Sequence, residues 1–169
     1  PVNRNKHYAM HTPKDIPEKK QKPHPVPSGP EYILVDGYNI IFAWDELKKI
    51  AEENLDAARA ELINMMCSYR GFIGCELILV FDAYKVSGKH REVEKYCNIS
   101  IVYTRESETA DSYIERVSHD LSKDHRVRVA TSDGLEQMII LGSGAMRISA
   151  AELRERYDAA MHDIRDFIE

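Results

Sequence analysis

The stretch Tyr32-Ile33-Leu34-Val35-Asp36-Gly37-Tyr38-Asn39 constrains the chain more than any other. A short, almost wholly apolar run ends on a carboxylate and passes through a glycine to Asn39, which is placed to cap the helix that follows. A strand apolar on both faces belongs in the middle of a parallel sheet. Its carboxylate then sits at the C-terminal edge, where open α/β sheets place their ligands. Two further runs repeat the arrangement: Leu77-Ile78-Leu79-Val80-Phe81 leads into Asp82, and Val127-Arg128-Val129-Ala130-Thr131-Ser132 leads into Asp133. Parallel strands share one C-terminal edge, so these carboxylates are expected to converge.

The remaining elements alternate between strand and helix, which argues for a parallel sheet covered on both faces. Ile40 to Glu53 is expected to be helical but short or broken, with Trp44 and Leu47 as its apolar contacts. Leu55 to Ile73 carries apolar residues at 3.6-residue spacing and is expected to end at Gly74. Arg59 falls inside that apolar stripe, where it either meets a carboxylate or keeps its head in water at the stripe's edge. Ile99 to Tyr103 is expected as a further strand, and Thr109 as the cap of a helix whose first turn holds Asp111 and Ser112, with Glu108 just before it. Asp111 is thereby a fourth candidate for the carboxylate edge, although acids in a first turn also serve the helix dipole. Leu135 to Leu141 reads as a helix, Met146 to Ile148 as a last strand, and Ala150 to Glu169 as a closing helix with Leu153, Tyr157, Met161, Ile164 and Ile168 inward.

Length and composition bound the class. The chain has 169 residues, 43% of them hydrophobic, enough for one domain with a core. No apolar run approaches the roughly 18 residues needed to cross a bilayer, and the first residues are not a signal peptide, so a soluble protein is expected. Cys67, Cys75 and Cys97 lack zinc or disulfide-framework spacing, and a reducing cytoplasm fits them best. All seven prolines lie within residues 1 to 30, with six Lys or Arg and two acids, which reads as a basic linker or arm of about +4. That leaves 17 basic against 26 acidic residues in 31–169, near −9, the wrong sign for holding nucleic acid by charge alone. The segment from Lys85 through Lys89 and Arg91 to Lys95 is a local exception, either a phosphate-binding rim at the carboxylate edge or an ordinary solvated loop.

Any single aspartate at a strand end is explained by turn or helix capping. Four on one edge are different, because crowded carboxylates raise one another's pKa unless a cation sits between them. The natural cation is Mg2+ or Mn2+, which takes oxygen ligands, activates water and neutralises a phosphodiester. The chain has no G-x-S-x-G elbow, no P-loop lysine and no paired-histidine helix.

Val35-Asp36-Gly37-Tyr38-Asn39-Ile40-Ile41, Val80-Phe81-Asp82-Ala83, Val102-Tyr103-Thr104, Glu108-Thr109-Ala110-Asp111-Ser112-Tyr113-Ile114-Glu115 and Thr131-Ser132-Asp133, in that order, resemble the YacP-type NYN domains, which belong to the PIN-like nucleases. The resemblance spans residue 31 to the C-terminus. It implies a three-layer PIN-like α/β/α sandwich with a mainly parallel sheet, and a metal-dependent endoribonuclease with Asp36, Asp82, Asp111 and Asp133 in the acidic positions and Asn39 beside the first. It also implies mRNA on the ribosome as target, and a chain that opens on Pro1 would suit fusion behind a translation-factor-like GTPase. In this reading Asn39, Thr109, Ser112 and Ser132 orient water or phosphate, Lys85, Lys89 and Arg91 contact the RNA backbone, and Arg59 and Glu108 support the site. The rival reading is a ribosome-docking or RNA-binding module that keeps the fold without turnover.

Overall fold

The structure, a computed structural model, describes residues 27–86, 92–132 and 144–168. The arm up to residue 26, Lys89, Arg91, Asp133 and the expected helix Leu135 to Leu141 lie outside the described residues. Among the described residues the elements run β1 (Tyr32–Asp36), α1 (Gly37–Ala43), α2 (Asp45–Glu53), α3 (Leu55–Phe72), β2 (Glu76–Phe81), a 3-10 turn (Ala83–Lys85), β3 (Val93–Tyr96), β4 (Ile99–Tyr103), α4 (Ala110–Leu121), β5 (Val127–Ala130), β6 (Met146–Ile148) and α5 (Ala150–Ile168).

The strands form one mixed sheet in the order β3-β4-β2-β1-β5-β6. β1 lies between β2 and β5, parallel to both, with Asp36 level with Val80 and Val35 level with Ala130. Its two-sided apolar character follows from the pleat, which sends alternate residues to opposite faces. Ile33 and Val35 join the larger core, with Leu77, Leu79, Phe81, Ile101 and residues of α1, α2, α3 and α5. Leu34 joins the smaller one, with Val80, Val102, Val129 and the α4 residues Ala110 and Ile114. Helices thus cover both faces of the sheet, the expected α/β/α sandwich.

The broken helix is broken at Trp44, whose backbone is extended (φ −94, ψ 119). The kink stands because the indole N–H donates to Ala150 O at 2.9 Å, tying the break to the start of α5. Three expectations need correction. The segment running to Lys95 is not all loop: Val93–Tyr96 is an edge strand antiparallel to β4. A two-residue turn through Cys97 and Asn98, both with positive φ (47 and 64), makes the hairpin, and Lys95 Nζ bonds Ser100 Oγ at 2.6 Å. The α3 helix ends one residue before Ile73, which leaves the helical conformation (φ −89, ψ 148) ahead of Gly74. The last turn of α5 runs past the core, so Ile168 is 78% exposed rather than inward.

Candidate functional site

The C-terminal edge of the sheet opens as a cleft of about 410 Å³ lined by Asp36, Asp82 and Asp111, with Asn39, Thr109, Ser132 and Lys85 around them. Each acid arrives by a different route. Asp36 ends β1 at the N-cap position of α1 and is only 6% exposed. Asp82 follows β2 directly, and Asp111 occupies the first turn of α4, whose N-terminus opens on the same edge. Asp82 Oδ1 accepts the backbone N–H of Ala110 at 2.7 Å, so this carboxylate also pins the start of α4 to the end of β2. Thr109 caps α4 as expected, its Oγ1 accepting Ser112 N–H at 3.2 Å.

Asn39 does not cap α1. The helix begins two residues earlier, at Gly37, and Asn39 Oδ1 instead accepts both the backbone N–H and the hydroxyl of Ser132, the latter at 2.7 Å. The bond joins the first turn of α1 to the end of β5, across the cleft floor.

Arg59 is buried, and a carboxylate meets it: Asp56 Oδ1 accepts from its Nη1 at 2.8 Å. The same nitrogen donates to the Tyr38 hydroxyl at 3.4 Å, and that hydroxyl donates to Lys85 O at 3.3 Å. Arg59 therefore sits behind the cleft wall and braces it. Burial pushes the Tyr38 phenol above its ordinary pKa, against the opposing pull of Arg59.

Two expected site residues lie elsewhere. Ser112 is exposed and turned to Thr109, outside the cleft lining. Glu108 faces a separate depression with Glu92, Arg105 and Arg116, and accepts from Arg116 Nη2 at 3.0 Å. Sequence reasoning passed over Tyr38, Phe42 and Tyr84, which line the cleft. Their signal was position: Tyr38 two residues after Asp36, Phe42 one helical turn after Asn39, and Tyr84 two residues after Asp82.

Among the described residues, the lining side chains able to ligate a cation offer carboxylate, amide and hydroxyl oxygens, which fits a hard cation that keeps most of its water and takes one or two carboxylates. Among the described residues no three His, Cys, Asp or Glu side chains are grouped closely enough to hold an ion between them.

Residues 33–169 match the model of the YacP-like NYN domain. The chain belongs to this family. Uncharacterized protein YacP of Bacillus subtilis (strain 168) is 40% identical over 124 residues, 73% of this chain and 72% of that protein. A crystal structure of Rae1 (YacP) from Bacillus subtilis superposes with a TM-score of 0.72 at 37% identity, covering 82% of this chain and 79% of that one. A crystal structure of a point mutant of the same protein gives 0.69, with 80% of each chain covered. YacP-like NYN membership carries a nuclease-like, RNA-related character for the domain. No helix among the described residues is long and apolar enough to cross a membrane.

Proposed function

We propose that the domain is an endoribonuclease that cleaves RNA phosphodiesters at the Asp36–Asp82–Asp111 cleft with Mg2+ or Mn2+, acting on mRNA at the ribosome. The observation that carries this reading is the arrival of three carboxylates from three separate elements on one cleft of a nuclease-like domain. A divalent ion there supplies a Lewis acid and a water of lowered pKa. Asp36 and Asp82 are the residues to hold it, with Asp111 bonding directly or through water. Asn39, its carbonyl spent on Ser132, keeps its amide N–H groups for a phosphate oxygen or a water. Lys85 and the N-terminal end of α4 oppose the phosphate charge. The acidic balance of 31–169 supports a substrate presented by a larger assembly, since free RNA gains little from such a surface.

The test is cleavage mapping on translating ribosomes with wild-type, Asp36→Asn and Asp82→Asn chains, with and without added Mn2+. Metal-dependent cuts that vanish in both variants are expected. The amide oxygen introduced by Asp82→Asn can still accept from Ala110, so the fold is kept. Undiminished cleavage by both variants defeats the assignment.

A silent RNA-binding module is the second reading, favoured by the commitment of Asp82 to α4 and by the lack of a close three-acid group among the described residues. A ligand of the native state raises its melting temperature. A Tm unmoved by millimolar Mn2+ selects this second reading.

A further inference from the structure

We infer that Phe42, Tyr84 and Lys85 form a stacking platform for an unpaired nucleobase at the mouth of the cleft. The inference rests on the reading of the cleft as an RNA site and specifies what that site takes: a single strand, with one base laid on the aromatic rim while its backbone reaches the acidic floor.

The rim is unusual for its surroundings. Phe42 is 49% exposed and Tyr84 70%, yet both line a cleft whose floor is carboxylates and hydroxyls. Single exposed aromatics need no explanation, but these two share a cation. Lys85 Nζ lies 5.9 Å from the Phe42 ring centroid, 5.4 Å from that of Tyr84 and 5.3 Å from that of Tyr38. Rings and ammonium together are the chemistry with which proteins hold single strands, because every base offers a π-face and every linkage a phosphate. A duplex keeps its bases stacked inside and offers the rings nothing.

The backbone under one side of the rim is also tied down. Asp56, Arg59, the Tyr38 hydroxyl and Lys85 O form one chain of hydrogen bonds from α3 to the 3-10 turn that carries Tyr84 and Lys85. A turn whose backbone is fixed beforehand loses less freedom when its side chains take up a ligand. Past Ala43 and Ser132 the cleft adjoins a second groove of about 530 Å³, lined by Trp44, Asp45, Glu46, Ser149 and Arg154, whose guanidinium is paired with Glu46 and Asp158.

The experiment measures binding by fluorescence anisotropy in the Asp82→Asn chain, where hydrolysis is suppressed and one repelling charge is gone. Three labelled probes are compared: single-stranded oligouridylate, an abasic ribose-phosphate strand of equal length, and duplex RNA. Oligouridylate is expected to bind best. Phe42→Ala and Tyr84→Ala should each weaken it about tenfold, the scale of one lost base stack, and leave the abasic strand unchanged. Tyr84→Trp should tighten it, an outcome misfolding cannot imitate. Equal binding of the abasic or duplex probe, indifference to both ring deletions, or no saturable oligouridylate binding overturns the platform. Base-dependent binding by a wild-type chain that never cuts RNA with Mn2+ sinks the nuclease reading alone. Cutting that ignores both rings sinks the platform alone.

Discussion

Gly37→Ala is the substitution whose cost the geometry states most directly. A Cβ at Gly37 would lie 2.6 Å from Phe81 Cδ1 and 2.9 Å from Cζ, with Cε1 nearer still, where ordinary contact begins near 3.4 Å. Phe81 has no room to retreat. It is fully buried, with Tyr38 edge-on at 5.1 Å and Tyr103 stacked at 6.0 Å. Overpacking of this kind costs about 1–3 kcal/mol, and an immobile ring puts this case at about 3. For a domain of this size that is a fall in Tm of roughly 10 °C. Gly71→Ala is the matched control, because it adds the same methyl inside α3 with nothing within 4 Å. There the gain in helix propensity should raise stability by about 0.5–1 kcal/mol. Urea unfolding followed by circular dichroism measures both. If Gly71→Ala gains as expected while Gly37→Ala stays within about 0.5 kcal/mol of the parent, the described packing of Phe81 on the first turn of α1 is wrong.

Arg59→Met should cost about 1–2 kcal/mol in urea unfolding, through loss of the Asp56 pair and the Tyr38 contact. It should also move Tyr38 ionisation to still higher pH, because Arg59 now opposes the effect of burial; an unchanged phenol titration refutes the contact. Thr109→Ala removes the α4 cap and should cost about 1 kcal/mol by the same assay. Burial raises the phenols of Tyr69, Tyr103, Tyr113 and Tyr157 above their ordinary value. Above a pH of about 10 the unfolded chain therefore releases protons that the folded chain retains, and stability must fall as pH rises through that window. Flat unfolding free energies there contradict the burial. The Cys67 thiol is pushed up to about 12 by burial, with Cys97 beside it, whereas Cys97 is exposed. Alkylation at neutral pH should label Cys97 first, and peptide mapping reads the order.

The centre of the molecule was legible because its strands bury both faces and so must be apolar throughout. The same logic places the ends of β1 and β2, and with them Asp36 and Asp82, on one edge; Asp111 joins them from the first turn of α4, the helix that follows β4. The kink near Trp44 was foreseeable as a weak helix, although its cause is a bond to Ala150, 106 residues away, which no local pattern announces. Asn39 was misjudged for a related reason. A capping residue and a cross-sheet tether look alike in sequence, and only the register of β1 on β5 brings Ser132 within its reach. The β3–β4 hairpin hid behind the charges of Glu94 and Lys95, since an edge strand tolerates water on both sides. Phe42 and Tyr84 escaped notice because an aromatic facing solvent carries no periodic signal.

Asp82 is at once a buckle and a prospective ligand. A ligand that took Oδ1 would share that oxygen with the Ala110 amide, whereas one that took Oδ2 would leave the seat of α4 untouched. A cation held through Oδ1 would be linked to the seating of α4 on the end of β2, and by reciprocity whatever loosened the helix would change the affinity for the cation.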